Sequence, residues 1–117
     1  MSNEIIDLPD FQDRVQDDKD LMLELFEIFM EDYQVKRGLL GDAIKNKNYE
    51  EIKSIGHSLK GASGNISAKQ LRGSLLKLED MGKASNISGV ESVLADLDRQ
   101  YAALVKRIAE IKKEFQP

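Results

Sequence analysis

Ile52-Lys53-Ser54-Ile55-Gly56-His57-Ser58-Leu59-Lys60-Gly61-Ala62-Ser63-Gly64-Asn65-Ile66 is the stretch whose period decides the fold. Wound at about 100° per residue, it stacks Ile52, Ile55, Leu59, Ala62 and Ile66 within roughly 40° of one side, which predicts a helix with one buried stripe. The opposite side holds His57, the only histidine of the chain, with Lys53, Lys60, Gly61 and Gly64 within about 60° of it. The histidine therefore points outward, flanked by cations and by positions without side chains. Three of the nine residues from Gly56 to Gly64 are glycine, and each costs a helix interior about 0.5 to 1 kcal/mol relative to alanine. Two explanations stand side by side. A bare surface lets a partner bring its own backbone close to His57; alternatively the glycines serve close helix packing, and His57 is a solvated residue without a role.

The helical period continues in both directions. Asp7-Leu8-Pro9-Asp10 predicts a helix start, with Asp7 as N-cap and proline in the first turn, for a short helix reaching about Val15. Its Leu8, Phe11 and Val15 can lie on the rest as a lid, whereas Met1 to Ile6 lacks periodicity and is expected to fray. Asp17, Asp18 and Asp20 favour the start of a long helix reaching about Lys47. That helix carries Leu21, Leu25, Ile28, Val35 and Leu39 on one stripe and Met22, Phe26, Phe29, Tyr33, Leu40 and Ile44 on the next, an arc wide enough for more than one neighbour. Outside the arc, Leu23 and Met30 share a line with Gln34, Arg37 and Gly41; this line is either a docking surface or is covered by the N-terminal helix. With the turn at Lys47-Asn48, the antiparallel residue level with His57 falls near Gly38, so Gly38 and Gly41 would thin the surface a partner approaches.

Asn48 and Glu51 form a box-like cap for the histidine helix, which ends around Asn65-Ile66. Ser67 with Gln70 reads as a second capping box, opening a helix to about Lys83 with a core stripe of Ala68, Leu71, Leu75, Leu78 and Gly82, and with Arg72 and Glu79 at its edge. Ala84 to Gly89 is a loop closed by a third box, Ser88 with Glu91. The last helix, to about Phe115, spaces Val90, Leu94, Leu97, Tyr101, Leu104, Ile108, Ile111 and Phe115 by three and four, which means a long seam. No strand pattern or internal repeat interrupts this. The prediction is all-α: one domain over residues 1–117, an antiparallel up-and-down four-helix bundle with a short extra N-terminal helix capping one end.

Composition narrows the function. A chain of 117 residues supports one core. Without cysteine there is no disulfide or thiolate metal site, and the composition suits the reducing cytoplasm. One histidine with no paired ligand argues against zinc. No apolar run approaches the roughly 20 residues that span a bilayer, and the acidic N-terminus is unlike a signal peptide. Net charge is −4, divided into −9 over residues 1–32 and +5 over residues 33–117. That pattern lacks the concentrated basic face nucleic acid requires and suits a protein partner with an acidic pocket.

His57-Ser58-Leu59-Lys60-Gly61-Ala62-Ser63, followed by Ala68, Leu71 and Leu78-Glu79, resembles the signature of histidine-containing phosphotransfer (HPt) domains, the phosphoryl carriers of multistep two-component relays. One departure stands out: the family usually has glycine where this chain has Ser67, and the capping box with Gln70 is expected to let serine start the next helix unaided. The resemblance implies that His57 accepts a phosphoryl group from the phosphoaspartate of a hybrid sensor kinase's receiver domain and returns it to a response-regulator receiver. Lys60 would then stabilise phosphoryl charge, and Glu79 could accept the Nδ1 proton and leave Nε2 as nucleophile, or be no more than an edge-of-core carboxylate. Partner docking is expected over Leu23, Met30, Gln34, Arg37, Gly38, Gly41, Lys53, Gly61 and Gly64. No cofactor of its own is expected, Mg2+ coming from the receiver, and the chain should be a cytoplasmic monomer that binds neither membrane nor nucleic acid. Lacking a glycine-rich nucleotide loop, it should have no ATP-dependent kinase activity. The rival reading is a helical adaptor or homodimer whose interface is the final helix, through Leu97, Leu104 and Ile108.

Overall fold

The computed structural model describes residues 4–115. They form five helices and, among the described residues, no strand: α1 (Leu8–Arg14), α2 (Lys19–Lys45), α3 (Tyr49–Asn65), α4 (Lys69–Lys83) and α5 (Val90–Phe115). Each long helix buries one face and leaves the other in water, as the three-and-four spacing requires. The four long helices pack as a closed ring of neighbours, α2 on α3, α3 on α4, α4 on α5 and α5 back on α2, with α3 and α4 the most intimate pair. Their inward faces join in one core that includes Met22, Phe26, Tyr33, Leu40, Ile52, Leu59, Leu71, Leu75, Leu78 and Leu97.

The final-helix seam belongs to this core. Leu97, Leu104 and Ile108 are buried within the chain, so they are not available as the interface of a homodimer. Tyr101 closes the ring by stacking on Tyr33, ring centroids 4.0 Å apart and planes 8° from parallel. Beside them, Arg37 grips Asp98 with two hydrogen bonds of 2.8 and 3.0 Å.

Two caps form as their residues dictate. The Asp7 side chain accepts from the Asp10 amide at the start of α1, and the Asp18 side chain accepts from the Leu21 amide at the start of α2, each satisfying an orphan donor. At α3, Asn48 accepts from the Glu51 amide while Glu51 accepts from the Asn48 side-chain amide instead of its backbone.

Several expectations need correction. Ile5 and Ile6 are core residues; hydrophobic burial fixes the segment that lacks periodicity, and of the stretch expected to fray, Met1 to Asn3 lie outside the described residues. Ser67 does not cap α4. It takes φ +58°, its amide bonds to the Gly64 carbonyl, and the Ala68 amide bonds to the Ser63 carbonyl. This is the two-bond Schellman close of α3, whose left-handed residue is usually glycine. The N-cap of α4 is Ala68, which supplies no side-chain bond. The glycine expected there is thus a matter of backbone hand, not capping. Gln16, Lys47 and Ser85 take the same conformation with the same pair of bonds at the ends of α1, α2 and α4. Ser88 likewise does not box α5: its amide donates to Asn86 Oδ1, and Gly89, at φ +78°, turns the chain into the helix.

The lid is stitched to that α3–α4 turn. Phe11 packs against Phe26 with ring centroids 5.1 Å apart. Ser67 Oγ donates to Asp10 at 2.6 Å, Lys69 donates to Asp7 at 2.8 Å, and the Asp7 amide donates to the Ser67 carbonyl. These bonds hold both carboxyls below their usual range, Asp7 chiefly through Lys69 and Asp10 chiefly through Ser67.

Candidate functional site

Burying Ile55 and Leu59 turns His57 outward at mid-helix, and 71% of its side chain is exposed. Its Nδ1 lies 2.9 Å from Oε2 of Glu79 on α4. Glu79 is 5% exposed; expected at the edge of the α4 stripe, it instead reaches between the helices from a buried position. Lys60 Nζ donates to Oε1 of the same carboxylate at 2.6 Å, and Lys83 Nζ stands 3.6 Å from Oε2. One carboxylate therefore serves an imidazole and two ammonium groups. The Lys60 hydrogen bond, against the opposing effect of burial and with help from His57, brings the Glu79 carboxyl down to about 2. An ionised carboxylate can only accept, so Nδ1 carries the proton and, in the neutral ring, the lone pair is on Nε2.

Two glycines make this reach possible. A Cβ on Gly56 would stand 2.9 Å from the Glu79 amide nitrogen and 3.2 Å from the Leu75 carbonyl oxygen, and one on Gly82 would stand 2.6 Å from the Lys53 amide nitrogen. Real Cβ atoms essentially never stand 2.9 or 2.6 Å from fixed backbone, so α3 and α4 touch at these two points and set Glu79 beneath His57. Gly61 is different, with nothing near the place of its Cβ, and at Gly64 the nearest atom is Arg72 Cδ at 3.6 Å. The two explanations divide the glycines between them: Gly56 packs, whereas Gly61 leaves open surface and Gly64 only ordinary contact with the Arg72 side chain.

Further along α3, Lys53 pairs with Glu50. Lys53, Glu50, Ser54, Glu79 and Lys83 line a cavity of about 400 Å³ against His57. From α2, Lys36 reaches across to Ser58 Oγ at 2.7 Å while pairing with Asp32; with the two helices antiparallel, this puts residue 37 near the level of the histidine, next to the expected Gly38. Gly38 has open space where a Cβ would stand, and Gly41 meets only the Arg37 side chain.

The expected docking line on α2 is not beside His57. Leu23 and Met30 are half-buried against the core, and Gln34 and Arg37 bond to Tyr101 and Asp98 of α5. At Gln34 and Arg37, this side of α2 belongs to α5. The other stripe, expected to be buried, is the open one: Leu21, Ile28, Val35 and Leu39 are exposed, Ile28 by 54% and Val35 by 66%. Leu25, Ile28, Phe29 and Asp32 of α2 line an apolar cavity of about 220 Å³ with Ala62, Asn65 and Ile66 of α3. The missed signal was the width of the arc itself, since two apolar stripes on one helix exceed what one core covers. Among the described residues, no group of His, Cys, Asp and Glu could hold a metal ion, and no helix is long and apolar enough to cross a membrane.

Comparison with known proteins agrees with the fold. No curated protein matches the sequence. The crystal structure of histidine-containing phosphotransfer protein B from Pseudomonas aeruginosa PAO1 superimposes with a TM-score of 0.83 at 19% identity, covering 98% of this chain and 100% of that one. At that identity the likeness is one of fold. The family model described as "Hpt domain" matches residues 24–110, from α2 nearly to the end of α5, and the chain belongs to the Hpt domain family.

Proposed function

We propose that the chain is a phosphoryl carrier in two-component signalling, with His57 as the acceptor. Nε2 attacks the phosphorus of a receiver-domain phosphoaspartate; the P–N bond forms as the P–O bond to the aspartyl carboxylate breaks, and a second receiver reverses the exchange. The observation that carries this is the pairing of an open imidazole with a buried carboxylate 2.9 Å from its Nδ1: orientation is fixed on one side while the nucleophile faces solvent on the other. Lys60 is the residue to meet phosphoryl charge. It is 19% exposed and bound to Glu79, so it must exchange part of that bond for the incoming oxygens. Gly61 and Gly64 leave room for the partner, and the apolar row Leu21, Ile28, Val35 and Leu39 offers it a flank. The frame is the single-domain, antiparallel up-and-down four-helix bundle expected from sequence, which the ring of helix pairings supports.

In this reading the chain is a cytoplasmic monomer without ATP-dependent kinase activity, and Mg2+ belongs to the receiver. The test is to incubate the protein with phosphorylated receivers and score acid-labile phosphate. Wild type takes the label. His57→Gln does not, and it melts within about 0.5 kcal/mol of wild type because the ring is solvent-facing. A mutant that still accepts phosphate removes His57 as the acceptor.

A further inference from the structure

The carrier reading leaves open whether Glu79 does more than turn the ring. We infer that Glu79 keeps the proton on His57 Nδ1 through the whole cycle, so that the phosphorylated ring remains an imidazolium and the chain relays its phosphoryl group instead of storing it. This rests on the carrier reading and concerns the same site.

The proton balance is simple. Nε2 attacks while Nδ1–H stays in place, so the product ring carries a positive charge. On the way out the P–Nε2 bond breaks, its electron pair returns to Nε2, and the ring leaves as neutral imidazole with the same Nδ1–H. If that proton were lost in between, the leaving group would be an imidazolide anion, a far poorer one, and the phosphoryl group would persist until a proton returned. The neighbour of Nδ1 therefore sets the lifetime of the phosphorylated state.

A glutamate and a glutamine both orient Nδ1, but only the carboxylate favours the positive ring. Glu79 is also unsuited to remove the proton, since Lys60 holds its carboxyl down to about 2; it is an anion that accepts a hydrogen bond, not a base. Other charges face the ring from each neighbouring element. Lys53 and Lys60 lie on α3, Lys83 on α4, and Lys36 on α2 bonds to Ser58 beside it. These cations oppose a charged ring, while Glu50 of α3, which lines the same cavity, favours it. Lys53 is engaged with Glu50 and Lys36 with Asp32, whereas Glu79 is in direct contact with Nδ1, so the carboxylate prevails at short range. Phosphorylation strengthens it further: a phosphoryl dianion draws Lys60 and Lys83 toward itself and leaves more of the Glu79 charge to the imidazolium.

The experiment uses phosphoramidate as a small chemical donor, so labelling does not depend on a cognate receiver. The isolated phosphorylated wild type and Glu79→Gln proteins are followed for phosphate loss across pH. An opposite charge in contact shifts a titration by about one to three units. The wild-type transition from labile to long-lived phosphohistidine is therefore expected at a pH higher by that amount than in Glu79→Gln, making wild type faster to lose phosphate by a factor that approaches about tenfold or more above the wild-type midpoint. Coincident profiles overturn the inference. Should Glu79→Gln not fold, the 15N spectrum of phosphorylated wild type decides alone: a protonated Nδ1 at neutral pH supports the proposal, and an unprotonated one overturns it. Failure of every receiver to label wild type would instead count against the carrier reading, leaving the pH profiles to speak for Glu79 separately.

Discussion

Adding one methyl group at Gly56 separates packing from access. In Gly56→Ala the new carbon would stand 2.9 Å from the Glu79 amide nitrogen, 3.1 Å from its Cα and 3.2 Å from the Leu75 carbonyl oxygen. All three are backbone atoms of α4, which cannot rotate away as a side chain would, so the helices must separate. Overfilling of this kind costs about 1 to 3 kcal/mol, and the better helix propensity of alanine returns at most about 1 kcal/mol. At roughly 4 °C per kcal/mol for a domain of this size, the melting temperature should fall by up to about 10 °C. Glu79 would move with α4, lengthening its bond to His57, so single-turnover transfer from a phosphorylated receiver should slow even per folded molecule. Gly61→Ala and Gly64→Ala are the controls. Each adds its methyl group to open surface or ordinary contact, so each should gain up to about 1 kcal/mol while losing transfer through weaker docking. Urea melts and transfer rates on the three variants give the comparison. A Gly56→Ala protein as stable as Gly61→Ala would refute the idea that this glycine sets the spacing of α3 and α4.

Lys60→Ala should slow transfer more than it weakens receiver binding, by one to a few kcal/mol in the barrier; unchanged single-turnover rates would remove Lys60 from the mechanism. The acid side follows from the depressed carboxyls. Glu79 in the folded chain titrates near 2, well below its ordinary value, so its contribution to stability is complete above the unfolded-state value and fades as pH falls toward 2; in Lys60→Ala the fading should begin at higher pH, readable in the Glu79 carboxyl resonance, and an unmoved resonance would contradict the assignment of Lys60 as the main cause. At the left-handed helix ends, Lys47→Gly should stabilise by about 0.5 to 1 kcal/mol, since it relieves strain and gives up no side-chain bond seen in the structure. Ser67→Gly should gain nothing, because the relief is offset by the lost bond to Asp10, itself worth about 1 kcal/mol or more. Equal melting shifts for the two would mean that the Ser67–Asp10 bond carries no stability.

The helices were legible because their caps and periods are local. Asp7, Asp18 and Asn48 announce helix starts through bonds spanning three residues, and Ile52, Leu59 and Ile66 mark a buried face wherever the neighbours stand. What the sequence withheld was relative position. Both stripes of α2 are apolar, and only the placement of α3 and α5 decides that Met22, Phe26 and Tyr33 are core while Ile28 and Val35 face water. Ser67 deceived for a related reason: serine with a glutamine three residues on fits a helix start as well as an end, and the sign of φ is absent from the letters. At the site, His57 and Lys60 could be placed by period alone. The engagement of Glu79 with both of them needed the close crossing at Gly56 and Gly82, which joins residues 22 and 19 positions apart.

The stitch between the lid and the α3–α4 turn bears on the order in which the molecule is made. Asp10 bonds to a residue 57 positions ahead of it and Asp7 to one 62 positions ahead. During synthesis, then, α1 leaves the ribosome well before Ser67 and Lys69, so only its stacking of Phe11 on Phe26 can form early. Closing so long a loop is entropically costly and comes late, and the burial of Ile6 and Phe11 is incomplete until it does. The same contacts should be the first to open in the finished protein. Amides of α1 are expected to exchange with solvent faster than those of α3 and α4 and in step with one another, as a cooperative unit that detaches while the histidine hairpin stays folded.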